Sequence, residues 1–219
     1  MQNFFHYENK FMSAIGAIAD SIVLGILWVI CSIPLFTIGT SSAAFYYAYN
    51  KCIIQKSGYV WKTFFSGFKS NFKQVTPIWL IVLGLSALFA VDFYLLRFMY
   101  NASVLVLIIR TLLIGLMLGV WILTLYLFPY LSRFEISNKT AVKNCALLAL
   151  ANLPRSILLL ILFFFCAVGF LSFPILNLLI PALYMFCANR ILETVFRKYM
   201  SEDDLAAQIQ EAVEETAVR

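Results

Sequence analysis

Histidine is almost missing from this chain: His6 is the only one. The five cysteines (Cys31, Cys52, Cys145, Cys166 and Cys187) never form C-x-x-C and have no histidine beside them. A metal site built from those ligands lacks its parts, and the cysteines read as small apolar packing residues. No cofactor is expected. No G-x-x-x-x-G-K-S/T run occurs, which excludes an ATP-driven motor within the chain itself. No H-E-x-x-H and no paired carboxylates on one helix face offer hydrolytic chemistry, so the chain reads as non-enzymatic. Charge is scarce too. Only 12% of residues are charged, against about 25% in a soluble domain, while 63% are hydrophobic. Such a chain could not cover its own surface in water; in lipid that requirement disappears.

What is present begins with long uncharged runs. Ser156 to Asn189 contains no charged residue. At ~1.5 Å per residue, about 20 residues cross a hydrocarbon core roughly 30 Å thick, so this run of about 34 overshoots one crossing. Ser172-Phe173-Pro174 and Asn177 in its middle are turn residues, and the run reads as a helical hairpin that crosses, turns and crosses back. The first apolar stretch, about Ile15 to Phe36, exceeds a signal-peptide core and follows a barely basic head, so it reads as a retained helix.

Helix one is expected over Ser13–Pro34, with Asp20 in its first turns. Gly39–Ile54, small-faced at Ser42 and Ala43 and aromatic at Phe45, Tyr46, Tyr47 and Tyr49, reads as a short packed crossing or an interfacial helix. In Gly58–Lys73, Trp61, Phe65, Phe68 and Phe72 fall on one helical face and Lys62, Ser66, Lys69 and Lys73 on the other. This predicts an amphipathic helix lying on the membrane surface, apolar side down. Further crossings are expected over Thr76–Leu96 and Ser103–Phe128, joined by a turn at Met99-Tyr100-Asn101. The second contains Gly115-Leu116-Met117-Leu118-Gly119, a spacing that suits helix packing. The expected fold is all-α: a polytopic membrane bundle of five to six transmembrane helices plus the amphipathic helix. Residues 1–200 form one domain and 201–219 an acidic tail, whose Ser201 and Asp204 read as a helix N-cap pair.

Lysine and arginine placement sets orientation. Lys51, Lys56, Lys62, Lys69 and Lys73 lie in one connection, Arg133, Lys139, Lys143 and Arg155 in another, and Arg190, Arg197 and Lys198 close the last helix. These belong on the cytoplasmic side of the cell membrane, with the C-terminus cytoplasmic and the bare turns outside. The net charge of +5 therefore points to an anionic cytoplasmic leaflet as partner and not to nucleic acid. Asp92 and Arg110 are the chief charges inside apolar segments, placed similarly on either side of the Met99–Asn101 turn. Isolated intramembrane charge is costly, so the two are expected to pair, with Arg97 as a competitor for Asp92. Such a pair would fix helix register or line a substrate path.

These segments resemble the YesL family, also called DUF624. The matching pieces are Leu27-Trp28-Val29-Ile30-Cys31-Ser32-Ile33-Pro34-Leu35-Phe36-Thr37-Ile38-Gly39 and Phe64-Phe65-Ser66-Gly67-Phe68-Lys69-Ser70-Asn71-Phe72-Lys73-Gln74. Leu150-Ala151-Asn152-Leu153-Pro154-Arg155 and Phe196-Arg197-Lys198-Tyr199 extend the likeness to about Met200. The resemblance implies a small bacterial membrane protein without an established activity. It also implies a role beside carbohydrate uptake, as an accessory protein assembling with the membrane subunits of an ABC importer; the alternative, a stand-alone small-solute transporter, would need polar groups at midplane positions, where Asp92 and Arg110 are the chief candidates.

Overall fold

The structure, a computed structural model, describes residues 2–98, 104–134, 136–172, 177 and 179–199. Among them are seven α-helices and no strand: α1 (Gln2–Cys31), α2 (Ile38–Ala48), α3 (Val60–Phe98), α4 (Val104–Arg133), α5 (Asn138–Ala151), α6 (Leu153–Ser172) and α7 (Ile180–Tyr199). A 3-10 turn at Leu35–Thr37 leads into α2, and a π-helical segment at Tyr49–Ile54 continues it. Val60–Leu95, Val106–Arg133 and Leu153–Ser172 are long and apolar enough to cross a membrane, and Ile15–Cys31 is a shorter apolar helix. The chain is a helical membrane protein.

Helix α1 stops where Pro34 removes a backbone donor. The Thr37 hydroxyl lies 2.5 Å from the Cys31 carbonyl and 2.7 Å from that of Pro34, covering acceptors the helix end leaves open. The reversal feeds α2, the hub of the bundle. Gly39, Thr40, Ser41, Ala43, Ala44, Phe45, Tyr46 and Ala48 are all buried in its 11 residues. Small residues make this possible, because lipid supplies no hydrophobic drive between helices and close approach must supply dispersion contact instead. A Cβ added to Gly39 would lie 2.7 Å from Cβ of Trp79, and one added to Gly67 2.8 Å from Cδ1 of Tyr47. Thr40 and Thr76 hydroxyls meet at 2.9 Å between the same two helices. On α3 the buried side is Thr63, Phe64, Gly67, Asn71, Val75 and Trp79.

The amphipathic segment and the next crossing are one continuous helix of 39 residues, not two elements. At ~1.5 Å per residue it is ~58 Å long, nearly twice a hydrocarbon core. Pro77 sits inside it and only removes one donor. Bonds on both sides hold the helix through that point: Thr76 to Thr40 and the Gln74 amide donating to the Ile136 carbonyl at 2.8 Å before it, and the Trp79 indole donating to the Leu35 carbonyl at 2.7 Å after it. The α6–α7 hairpin agrees with the sequence reading. Phe163 and Tyr184 rings lie 6.1 Å apart, and Gly169 faces Ile180. Gly115 and Gly119 do not pack against the described residues: none of these lies within 4 Å of a Cβ added to either. Residues 99–103, 173–176 and the tail from 200 onward lie outside the described residues, and with them the expected turns and the Ser201–Asp204 cap.

Candidate functional site

Polar chemistry concentrates where α2, its π-helical extension, α4 and α7 meet. The extension arises because the Asn50 side-chain amide donates to the Tyr46 carbonyl at 3.2 Å, competing for an acceptor of the α-helical ladder. The Gln55 N–H then bonds Asn50 O at 2.9 Å, five residues back, and the Ser57 N–H bonds Lys51 O at 2.9 Å. Such widened turns are frequent at functional sites. The segment ends with Lys56 at φ 54° and Gly58 at φ 80°, both left-handed, which turns the chain into α3.

Glu193 of α7 is the centre of the cluster. Its carboxylate accepts from the Tyr46 hydroxyl at 2.8 Å and from the Arg133 guanidinium at the end of α4. Its second oxygen lies 3.5 Å from Nε of Arg197, one turn on. The Glu193 and Arg133 side chains are 15% and 14% exposed, so this ion pair is largely out of water, whereas Arg197 is 66% exposed. One turn back, buried Asn189 donates to Oδ1 of Asn50 at 3.0 Å. Phe196 packs edge-on against both Tyr46 and Tyr126, closing the apolar side of the cluster. A cavity of about 170 Å³ lies against this network, walled by Tyr46, Asn50, Lys51, Arg133, Glu193 and Arg197 among others. It reaches the surface beside Ile54 and Gln55, which are exposed.

The residues singled out from sequence fall elsewhere. Asp92 and Arg110 are not joined: the Arg110 guanidinium lies over the Phe93 ring, 4.3 Å from its centroid, and Asp92 is exposed. No ion pair or hydrogen bond links these two described residues. The face of the Phe93 ring, adjacent in sequence to Asp92, takes the cation instead. Asp92 lies about 19 residues beyond Lys73 on α3, a rise of ~29 Å, close to one hydrocarbon thickness. In the amphipathic stretch Trp61, Phe65 and Phe72 are exposed alongside Lys62, Lys69 and Lys73, while Phe68 is half-buried against the core. Trp61 and Phe65 rings lie 5.0 Å apart and Phe68 and Phe72 5.7 Å, and the buried Phe64 ring joins the two pairs. The aromatic stripe runs along the outer side of a helix whose buried side is on α2, instead of belonging to a separate helix.

Glu193 was missed as a site residue because it appeared only as one charge in a basic helix end. Its spacing carried a signal: it stands four residues after Asn189 and three before Phe196, both buried. A carboxylate on the margin of a buried helical face needs partners.

Comparison with known proteins places the chain. No curated protein and no solved structure matches it. The family model described as "Protein of unknown function, DUF624" matches residues 22–93, from the middle of α1 through α2 and most of α3. That segment contains the α2–α3 interface and the first wall of the cavity, and over it the chain is similar to the DUF624 family.

Proposed function

We propose that this protein is a non-catalytic, multi-pass accessory subunit of the cell membrane, with its basic ends and C-terminus on the cytoplasmic side. It assembles with membrane subunits of a partner, for which the family resemblance points to a carbohydrate ABC importer. One observation carries the reading: the outer halves of α3 and α4 form an apolar hairpin that packs on little else in the chain. Leu80, Ile81, Leu88 and Val91 on α3 and Leu107, Ile108, Leu112 and Leu116 on α4 are exposed. No residue in the most apolar stretch of α4 is buried. Lipid satisfies such a surface, and so do the close-packed membrane helices of a partner. The exposed Trp61, Phe65 and Phe72 beside Lys62, Lys69 and Lys73 suit contact with an anionic leaflet.

The test is purification from native membranes after photo-crosslinking at Leu88 or Leu112, with Leu158 on α6 as the control position. Capture of importer membrane subunits from the hairpin positions and not from Leu158 supports the reading; equal labelling by lipid alone refutes it. The polar cavity favours a second reading, a stand-alone transporter of small solutes. Substrate-dependent uptake by proteoliposomes holding only this chain would establish that reading instead.

A further inference from the structure

We infer that α1 and α2 form a re-entrant hairpin whose turn binds acyl chains. It enters the leaflet bordered by the chain's basic ends, reverses at Pro34–Thr37 and returns, so neither arm crosses the bilayer. Arm length is the first reason. Ser21 to Asn50 holds no charged residue, and Asp20 and Lys51 flank it. Two crossings need about 40 apolar residues, and this run has 30 with its turn included. The end of α1 at Cys31 is about 11 residues from Asp20, and Lys51 is about 13 from the start of α2 at Ile38. At ~1.5 Å per residue the arms rise ~17 Å and ~20 Å, well short of a hydrocarbon core roughly 30 Å thick.

Contacts with α3 give the depth of the turn. The Trp79 indole donates to the Leu35 carbonyl at 2.7 Å, Thr40 meets Thr76 at 2.9 Å, and Gly67 faces Tyr47. Helix α2 therefore runs antiparallel along the basic half of α3, and the turn stands beside Trp79, about six residues or ~9 Å past Lys73. From Trp79, α3 continues about 19 residues, ~28 Å, to Phe98. The Phe128 ring of α4 packs on Trp79, and α4 extends about 24 residues from there to Val104. A turn at the opposite surface would leave both of these apolar helix halves in water, with Leu88 and Leu112 exposed on them.

The turn itself is built for hydrocarbon. Ile33 and Leu35 are 76% and 70% exposed, and Ile30 and Phe36 are exposed beside them. Backbone away from water must find its hydrogen bonds within the protein. Here the Thr37 hydroxyl lies against the Cys31 and Pro34 carbonyls, and the indole of Trp79 covers that of Leu35. The Ser32, Ile33 and Thr37 N–H groups donate to the carbonyls of Trp28, Ile30 and Pro34, and Pro34 has no N–H to satisfy. An apolar tip at this depth, with its carbonyls covered from inside, fits acyl chains. Only the choice of leaflet rests on the orientation proposed above.

The test places single cysteines in the full chain with its five native cysteines replaced by alanine. Ile33→Cys and Leu35→Cys are compared with Tyr59→Cys, in the connection before α3, and with Asn101→Cys, between α3 and α4. A membrane-impermeant maleimide, applied to intact cells and to inside-out vesicles, should label Tyr59→Cys from one face and Asn101→Cys from the other. The turn variants should label at least about tenfold less from either face, as side chains held in hydrocarbon do. A nitroxide on Leu35→Cys in phosphatidylcholine nanodiscs should collide more with oxygen than with a soluble nickel chelate. A benzophenone side chain at Leu35 in the otherwise native chain checks this without cysteine replacement, and its expected adduct is a phospholipid. Labelling of the turn from the Asn101 face shows a full crossing and overturns the inference. Labelling from the Tyr59 face puts the turn in water and overturns it too, and so does protection with neither oxygen access nor lipid adduct, which shows protein cover. If Tyr59→Cys reacts from outside while the turn stays protected, the proposed orientation fails and the hairpin stands.

Discussion

Replacing Glu193 with alanine tests whether the polar cluster holds the bundle together. The carboxylate and its Arg133 partner are 15% and 14% exposed, so alanine removes a carboxylate partner from a largely buried guanidinium and deprives the Tyr46 hydroxyl of its acceptor. Breaking a buried pair from one side costs about 3–5 kcal/mol. The adjoining cavity gives Arg133 some access to water, which favours the lower end, about 3 kcal/mol. Glu193→Gln keeps an acceptor for Tyr46 and loses only the charge, so about 2 kcal/mol is expected. Arg133→Met leaves Glu193 with Tyr46 and Arg197 and should also cost about 2 kcal/mol. The double variant Glu193→Leu with Arg133→Met removes both charges and should return to within about 1 kcal/mol of the parent. The assay is thermal unfolding in detergent, where about 3 kcal/mol corresponds to a Tm drop of roughly 6–12 °C for a chain of this size. A drop below about 2 °C for Glu193→Ala, or strictly additive losses in the double variant, would refute the reasoning.

Four further outcomes follow from the geometry. Gly39→Ala should lower stability by about 1–2 kcal/mol, because its Cβ meets the root of Trp79 and overpacking outweighs the ~1 kcal/mol gain in helix propensity. Gly115→Ala, facing open space, should be neutral or slightly stabilising in detergent; the reverse order of melting temperatures would show that α4 packs where no contact is seen. Cys145 on α5 is fully buried, and burial pushes its thiol up to about 12. At pH 8 only about one thiol in ten thousand is then ionised, so maleimide should label a chain keeping Cys145 alone only on unfolding, and fast native labelling would contradict its placement. Phe93→Leu should cost about 0.5–1 kcal/mol through loss of the Arg110 cation–π contact, whereas Asp92→Asn should cost less than that; a larger loss for Asp92→Asn would restore the ion pair.

The sequence was legible wherever one periodicity or one long run decided the matter. The uncharged run from Ser156 to Asn189 contained its own turn, and α6 and α7 emerge on either side of it. Legibility failed where tertiary contact overrode a local rule. The change from amphipathic to apolar pattern near Lys73 suggested a break, but Pro77 costs only one donor, and bonds from Gln74 and Thr76 before it and from Trp79 after it hold α3 in place. The glycine pair at 115 and 119 looked like packing and is bare, while Gly39 and Gly67, in no such motif, make the tightest approaches. Spacing shows that a close approach is possible; only the partner helix shows that it is used. Asp92 and Arg110 failed for a related reason. A cation near an apolar ring face has an alternative to a carboxylate, and sequence distance cannot rank the two.

The cavity was the least legible feature because its wall is drawn from three separate regions. Tyr46, Asn50 and Lys51 lie within the family-matched residues 22–93, whereas Arg133, Glu193 and Arg197 arrive from α4 and α7. The matched segment can build the α2–α3 interface through Gly39, Gly67 and Trp79, but it supplies only Lys51 among the cavity's cations. The remaining charge is set when α4 and α7 dock, and Glu193 on α7 links to α2 through Tyr46 and to α4 through Arg133. Scaffold and site are therefore coupled through Tyr46: its ring lies in the core and its hydroxyl bonds the carboxylate that holds both arginines.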